Sequence, residues 1–468
     1  MVTLQGGPFL PAFAVALGAS NYEIGLLATI AFASQFMQLA GLYLVRRFPY
    51  RRGLVVLAAG AARLLWLPII LIPVIFVGRG TTFLMQWLLL SALAGAVAGP
   101  AWNSLLRDIV PSNQMGRVFS TRLMLGTLFA VGLTLVGGCF IDVWQVRVPG
   151  APLYAYSILF ALGLAVGIGG VVAIAALPEP RMPPVSREPL GKVLARPLRD
   201  RNFRGLLSFI AVWNFAVNLA GPFFIVYMLK RIGLSLMTVT ALPVTSQVTN
   251  MLFLRIWGRI ADRHSNKSVL AVSGPLFLLA VLGWTFTTLP ERYFLTVPLL
   301  FAIHILIGMS SAGISLAAAN IGLKLSPQAE AHAYMTVYGL AGAVTGAVAP
   351  LLGGVFADFF AARHLSVQIA WAEPTEVFRL NALHLKSLDF LFLMAFVAGL
   401  YALQRLRKVN EEGEVDEETI RRELVLEVFS AVRAVSASPG IRHLVVGPVS
   451  AIYRFTTSNL QGVGEAAE

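Results

Sequence analysis

With 57% of its 468 residues hydrophobic, only 13% charged and a mean hydropathy of +0.75, this chain is too apolar for a soluble domain, which needs far more charged surface. Its formal charge of +13 sits in short clusters between apolar runs, such as Arg46, Arg47, Arg51 and Arg52, unlike the continuous basic face of a nucleic-acid binder. The single Cys139, in an apolar run, and six scattered histidines exclude a disulfide framework and a metal cluster; there is no P-loop, and no basic region precedes the apolar start as in a signal peptide.

Runs long enough to cross a bilayer, about 20 residues each, follow in order. They are Tyr22–Val45, Gly53–Val77, Thr81–Leu106, Val118–Ile141 and Leu153–Leu177; after the polar stretch Pro178–Arg201 come Phe203–Leu229, Leu236–Ile260, Ser268–Leu289, Tyr293–Leu323, Ala331–Phe360 and Ser387–Leu406. A shorter apolar segment, Val2–Leu17, precedes them. Backbone inside a membrane must satisfy its own hydrogen bonds, so these runs are helices. Between the last two, Ser366–Trp371 and Val377–Leu383 alternate around Glu373-Pro374 and read as a hairpin. Beyond Leu406 comes an acidic run from Glu411 to Glu418, and then Ile420, Leu424, Phe429 and Val432 recur at helical period. That segment is an amphipathic helix lying on the membrane or, preferably, on the cytoplasmic loops.

Arg and Lys set the orientation. Alternate loops carry Arg46 to Arg52, Arg107 and Arg117, then Arg181, Arg187, Lys192, Arg196, Arg199 and Arg201, then Arg259, Arg263 and Lys267; the other loops are leaner. The richer set is expected in the cytoplasm, and both termini with it. The halves also repeat. Gly126, Gly137, Gly138, Phe140 and Asp142 recur 216 residues later as Gly342, Gly353, Gly354, Phe356 and Asp358, as Pro111 does at Pro327, and Gly7-Pro8-Phe9 recurs as Gly221-Pro222-Phe223. Duplicated six-helix halves belong to transporters built from two rocking bundles.

The run Gly258-Arg259-Ile260-Ala261-Asp262-Arg263-His264-Ser265-Asn266-Lys267 resembles the loop signature GxxxDRxGx[RK] of the major facilitator superfamily, with Ser265 where Gly is usual. The resemblance covers Val2 to Leu406. It implies an all-α membrane protein of twelve transmembrane helices in two pseudo-symmetric six-helix bundles, the first helix truncated. The expected domains are 1–177, the first bundle; 178–202, a cytoplasmic loop; 203–406, the second bundle; and 407–468, a cytoplasmic tail. The resemblance also implies a gating latch: Asp262 as its acid, Arg263 and Lys267 as its bases. In the first half, Val45 stands in the acid position, and Asp108, flanked by Arg107 and Arg117, either supplies the missing charge or forms an ordinary loop ion pair. The antiporter pattern GPxxGG is reduced to Gly137-Gly138 on its usual helix and is fuller at Ala349–Gly354. The residues that precede Gly221 lack a full counterpart before Gly7, so about a dozen apolar residues are expected in frame upstream.

The expected function is secondary transport of a small molecule by alternating access, by a monomer in the plasma (inner) membrane; no enzyme activity, cofactor or nucleic-acid partner is expected. The alternative is a non-transporting assembly factor or sensor on the same fold, acting through its tail. Candidate substrate contacts near the midplane are Gln35, Gln38, Asn214, Asn218, Gln247, Asn250, His304 and Arg63. Asn214 and Asn218 lie one turn apart on one face. Arg63, mid-span, needs a partner or a watery cavity; it meets an anionic substrate or, by preference, binds carbonyls or Gln38. For each amide taken singly, and for His304, a helix-packing hydrogen bond is the preferred reading; for Asn214 and Asn218 as a pair the two readings stand even.

Overall fold

The computed structural model describes residues 1–48, 50–75, 79–110, 115–180, 190–288, 291–327, 330–372 and 377–436. Pro111, Arg181, Arg187, Glu373 and Pro374 fall outside them, as do the side chains of Arg107, Arg117, Phe429 and Val432. The first half holds α1 (Val2–Ala16), α2 (Asn21–Val45), α3 (Arg51–Ile75), α4 (Gly80–Ile109), α5 (Met115–Arg147) and α6 (Tyr154–Ala175). A loop helix, α7 (Leu190–Arg199), leads to α8 (Arg201–Arg231), α9 (Leu236–Arg263), α10 (Asn266–Phe286), α11 (Thr296–Lys324), α12 (Ala331–Phe360) and α13 (Asp389–Leu406). The tail forms α14 (Glu417–Ser436).

Ten described helices are long and apolar enough to cross a membrane. Helix α9, with 28 residues, is not among them because Gln247, Asn250, Arg255, Arg259, Asp262 and Arg263 dilute its apolar face. The expected hairpin is present: β1 (His364–Ala372) pairs antiparallel with β2 (Val377–Lys386), from His364 opposite Lys386 to Ala372 opposite Val377.

Helix starts are strongly specified. Gly18 and Gly233 adopt φ +87 and +70, a left-handed turn that glycine makes at little cost. Two residues on, Ser20 and Ser235 cap α2 and α9: the Ser20 hydroxyl accepts from the Glu23 N–H at 3.2 Å, and Ser235 from the Thr238 N–H at 3.3 Å. The Glu23 carboxylate accepts in return from the Ser20 N–H, completing a capping box. The Gly-x-Ser turn recurs at an offset of 215, one more copy of the duplication. Ser265 explains its own departure from the signature. Its φ of −116 requires no glycine, and its hydroxyl caps α10 through the Ser268 N–H.

Each half packs around aromatic side chains. Phe13 meets Phe160 edge-on at 5.3 Å in the first; Phe224 stacks on Trp284 at 4.4 Å in the second. Arg63 stays within the first half, donating to the Gly167 carbonyl of α6 and to Ala59 on its own helix. The half-buried charge is met by backbone, as a guanidinium withdrawn from water requires.

Candidate functional site

The halves meet at the end that carries the hairpin. There the duplicated aspartates each grip the start of a helix from the other half. Asp142, near the end of α5, accepts from the Leu236 and Met237 N–H groups of α9 at 2.9 and 2.8 Å. Asp358, near the end of α12, accepts from the Asn21 and Tyr22 N–H groups of α2 at 3.2 and 3.0 Å. The first N–H groups of a helix have no partner inside it and carry the positive end of its dipole, so a carboxylate there is doubly favoured.

The glycines beside these aspartates let the helices approach. A Cβ on Gly137 would lie 2.6 Å from the Phe9 ring, and one on Gly353 would lie 2.8 Å from the Phe223 ring, so the first glycine of each pair receives an aromatic from its own half. The second glycine faces the partner half: a Cβ on Gly138 would meet Thr240 at 2.3 Å, and one on Gly354 the Asn21 carbonyl at 2.8 Å. Gly25 on α2 allows the Pro350 carbonyl of α12 to sit where its Cβ would be only 2.2 Å away. Further ties cross the seam from Thr29 to the Ala347 carbonyl and from Lys230 to the Ala19 carbonyl, at 2.8 and 3.0 Å. Towards the Arg-rich end the contact runs to Phe32 against Gly346. Beyond that, Met37–Arg47 packs on α4 of its own half.

The candidate substrate contacts separate into two groups. His304 is buried within the second half; its ring nitrogen bonds the Leu300 carbonyl at 2.8 Å and its ring lies against Trp284. Like Arg63, it serves packing within one half. The amides are more open. Gln35 and Gln38 are exposed and bond each other. Asn214 and Asn218 are half-buried, each donating to the carbonyl four residues back on α8, and Asn214 neighbours Gly342 of α12. Gln247 is exposed and Asn250 half-buried on α9. These six amides lie on α2, α8 and α9; α2 and α9 join the seam directly, and α8 packs on α12.

At the Arg-rich end, Asp108 pairs with Arg51 of α3, an ion pair inside the first half. Arg51 is fully buried, and it also donates to the Ser104 hydroxyl and to the Pro180 carbonyl, both at 2.9 Å. Asp262 is exposed and makes no ion pair among the described residues. The basic members of the signature are engaged by the tail: Arg259 and Arg263 meet Glu427 at 2.7 and 3.3 Å, and Lys267 meets Glu414 at 2.8 Å. Sequence reasoning missed Arg51, and read Asp142 and Asp358 only as marks of duplication. Their recurrence beside a glycine pair was the available signal.

Known proteins give the arrangement its context. Residues 6–361 match the family model for the Major Facilitator Superfamily. No curated protein matches the chain in sequence. A point mutant of the nucleoside transporter NupG is similar in structure with a TM-score of 0.65 at 11% identity, over 88% of this chain and 96% of that one. A bacterial homologue of the human lysosomal transporter Spinster, inward-facing and unoccupied, scores 0.58 at 13% identity over 87% and 95%. A bacterial homologue of the iron transporter ferroportin, also inward-facing, scores 0.57 at 12% over 87% and 95%. The family match spans most of the chain, covering the first duplicated half and the second as far as α12, and this multi-pass membrane protein therefore belongs to the Major Facilitator Superfamily, a family of transporters.

Proposed function

We propose that the chain is a secondary active transporter of a small molecule, working by alternating access between domains 1–177 and 203–406. It would sit in the plasma membrane with both termini in the cytoplasm, where the Arg-rich end would also lie. One observation carries this reading. The two halves grip each other through the same carboxylate-to-helix-start contact in both directions, at the hairpin end, which suits a gate that opens by rocking about the opposite end. The conformation is then closed outside and open inside. The amides Gln35, Gln38, Asn214, Asn218, Gln247 and Asn250 would line the path, offering neutral donors and acceptors to a polar organic ligand. The sensor alternative loses ground because α14 is docked on the protein's own second half and is not presented to a partner.

A thermal-shift panel on the purified protein, containing nucleosides, short peptides, divalent cations and amphipathic drugs, is expected to yield a stabilising ligand, since binding the folded state raises the melting temperature. The hit should then exchange across proteoliposomes. A ligand that stabilises the protein but never crosses the membrane would transfer the case to the sensor reading.

A further inference from the structure

The duplication extends to the Arg-rich end, where one detail is inverted. An offset of 216 takes Arg51 to Lys267 and Asp108 to Lys324. The first half thus holds an internal ion pair where the second holds two cations. The tail supplies the missing acids: Glu411 lies 3.0 Å from the Lys324 ammonium and Glu414 lies 2.8 Å from that of Lys267. Glu411 also accepts from the Lys267 N–H at 2.7 Å, as Glu179 accepts from the Arg52 N–H at 3.0 Å. The segment following each bundle therefore caps the third helix of that bundle, and Glu179 also comes within 3.8 Å of the Arg52 guanidinium, but only in the second bundle does that segment supply the acids that pair at the positions equivalent to Arg51 and Asp108. Further along, Glu427 meets Arg259 and Arg263, and Glu423 meets His264 at 3.1 Å, while Ile420 and Leu424 are buried beneath.

These pairs lie on a surface that must move if access alternates, so the inference rests on that reading. Helices α5 and α9 run antiparallel and touch at Asp142 and Leu236. Their other ends, Met115–Arg122 and Arg259–Arg263, must approach when the Arg-rich face shuts. Both ends are basic in sequence, with Arg117 and Arg122 on one and Arg259 and Arg263 on the other. Between Glu411 and Glu427 the tail carries eight acidic residues against two basic ones, enough to turn the sign of the second half's end. We propose that the docked tail is a built-in counter-charge: it converts a repulsive meeting of two basic ends into an attractive one, and closure of the cytoplasmic face depends on it. Asp262, exposed while its neighbouring arginines are held by glutamates, is free to cross to the first half. A cavity of about 590 Å³ among Asn202, Lys324, Asn410 and Glu411 keeps the Lys324–Glu411 pair within reach of water and salt, and Arg259 and Arg263 are themselves about half exposed.

Nitroxides at Val118→Cys and Leu252→Cys, the latter two turns before Arg259, in the full chain with Cys139→Ser and in lipid nanodiscs, would report the separation of α5 and α9 beyond their Asp142–Leu236 contact. Glu423→Gln with Glu427→Gln is expected to reduce the short-distance population several-fold. High KCl should restore part of it by screening, and adding Arg259→Gln with Arg263→Gln should restore most of it. An undiminished short-distance population in the glutamine variant would overturn the counter-charge. A wild-type chain with one fixed distance at every salt and ligand condition would instead overturn alternating access, and the counter-charge with it.

Discussion

Asp142 and Asp358 act on whole helices because each carboxylate occupies two amide donors that the helix itself leaves unsatisfied. Replacing one with Asn removes a charge–dipole interaction of roughly 0.3–1 kcal/mol, or up to ~2 if partly buried. Asp358→Asn is thus expected to raise maleimide labelling of a cysteine introduced at the hairpin end, and unchanged labelling in a folded variant would discard the gate. Arg51 is a different kind of residue: fully buried and paired with Asp108, it maintains structure. Arg51→Ala would leave the exposed Asp108 carboxylate to water but would remove the buried guanidinium from its Ser104 and Pro180 acceptors, and should cost about 1–3 kcal/mol, read as a lower melting temperature. Asp262→Asn, by contrast, should leave melting nearly unchanged, because its side chain is exposed, and should increase labelling on the Arg-rich face only when that face is closed. Sequence composition made Arg63 conspicuous, since a mid-span charge is costly wherever it goes. It could not say that the charge would end on the Gly167 and Ala59 carbonyls, because backbone partners leave no mark in a sequence.

Helices and their order were legible almost throughout, because the bilayer demands about 20 apolar residues per crossing and the hairpin alternates cleanly on both sides of its turn. The Gly-x-Ser starts of α2 and α9 were equally visible in the letters but gained meaning only once φ at Gly18 and Gly233 was known. What stayed hidden was which helices touch. Gly25 is one of 42 glycines and nothing local singles it out, yet the Pro350 carbonyl rests against it. Gly25→Leu should therefore be incompatible with the α2–α12 contact and should hold the hairpin end open, with reactive cysteines there labelling fully. A variant that still closes would mean that the backbones separate more readily than this packing implies.

For the molecule as a whole, the duplication predicted two bundles and the structure shows how they engage, but substrate contacts in such a fold come from several helices at once, and no single segment reveals them. The amides at Asn214 and Asn218 are the sharpest test. The double alanine variant is expected to lose ligand-induced stabilisation while keeping its ligand-free melting temperature; earlier melting with the ligand response intact would move the path away from α8. The twin aspartate contacts carry a further consequence. Because they lie in parallel across one seam, releasing either leaves the separated groups held within bonding range at high effective concentration, so the contact re-forms before the halves part. Opening then requires both to let go together. Single aspartate variants should leak mildly and the double variant far more than their sum, making the hairpin end a bivalent closure whose strength lies in simultaneity more than in either bond.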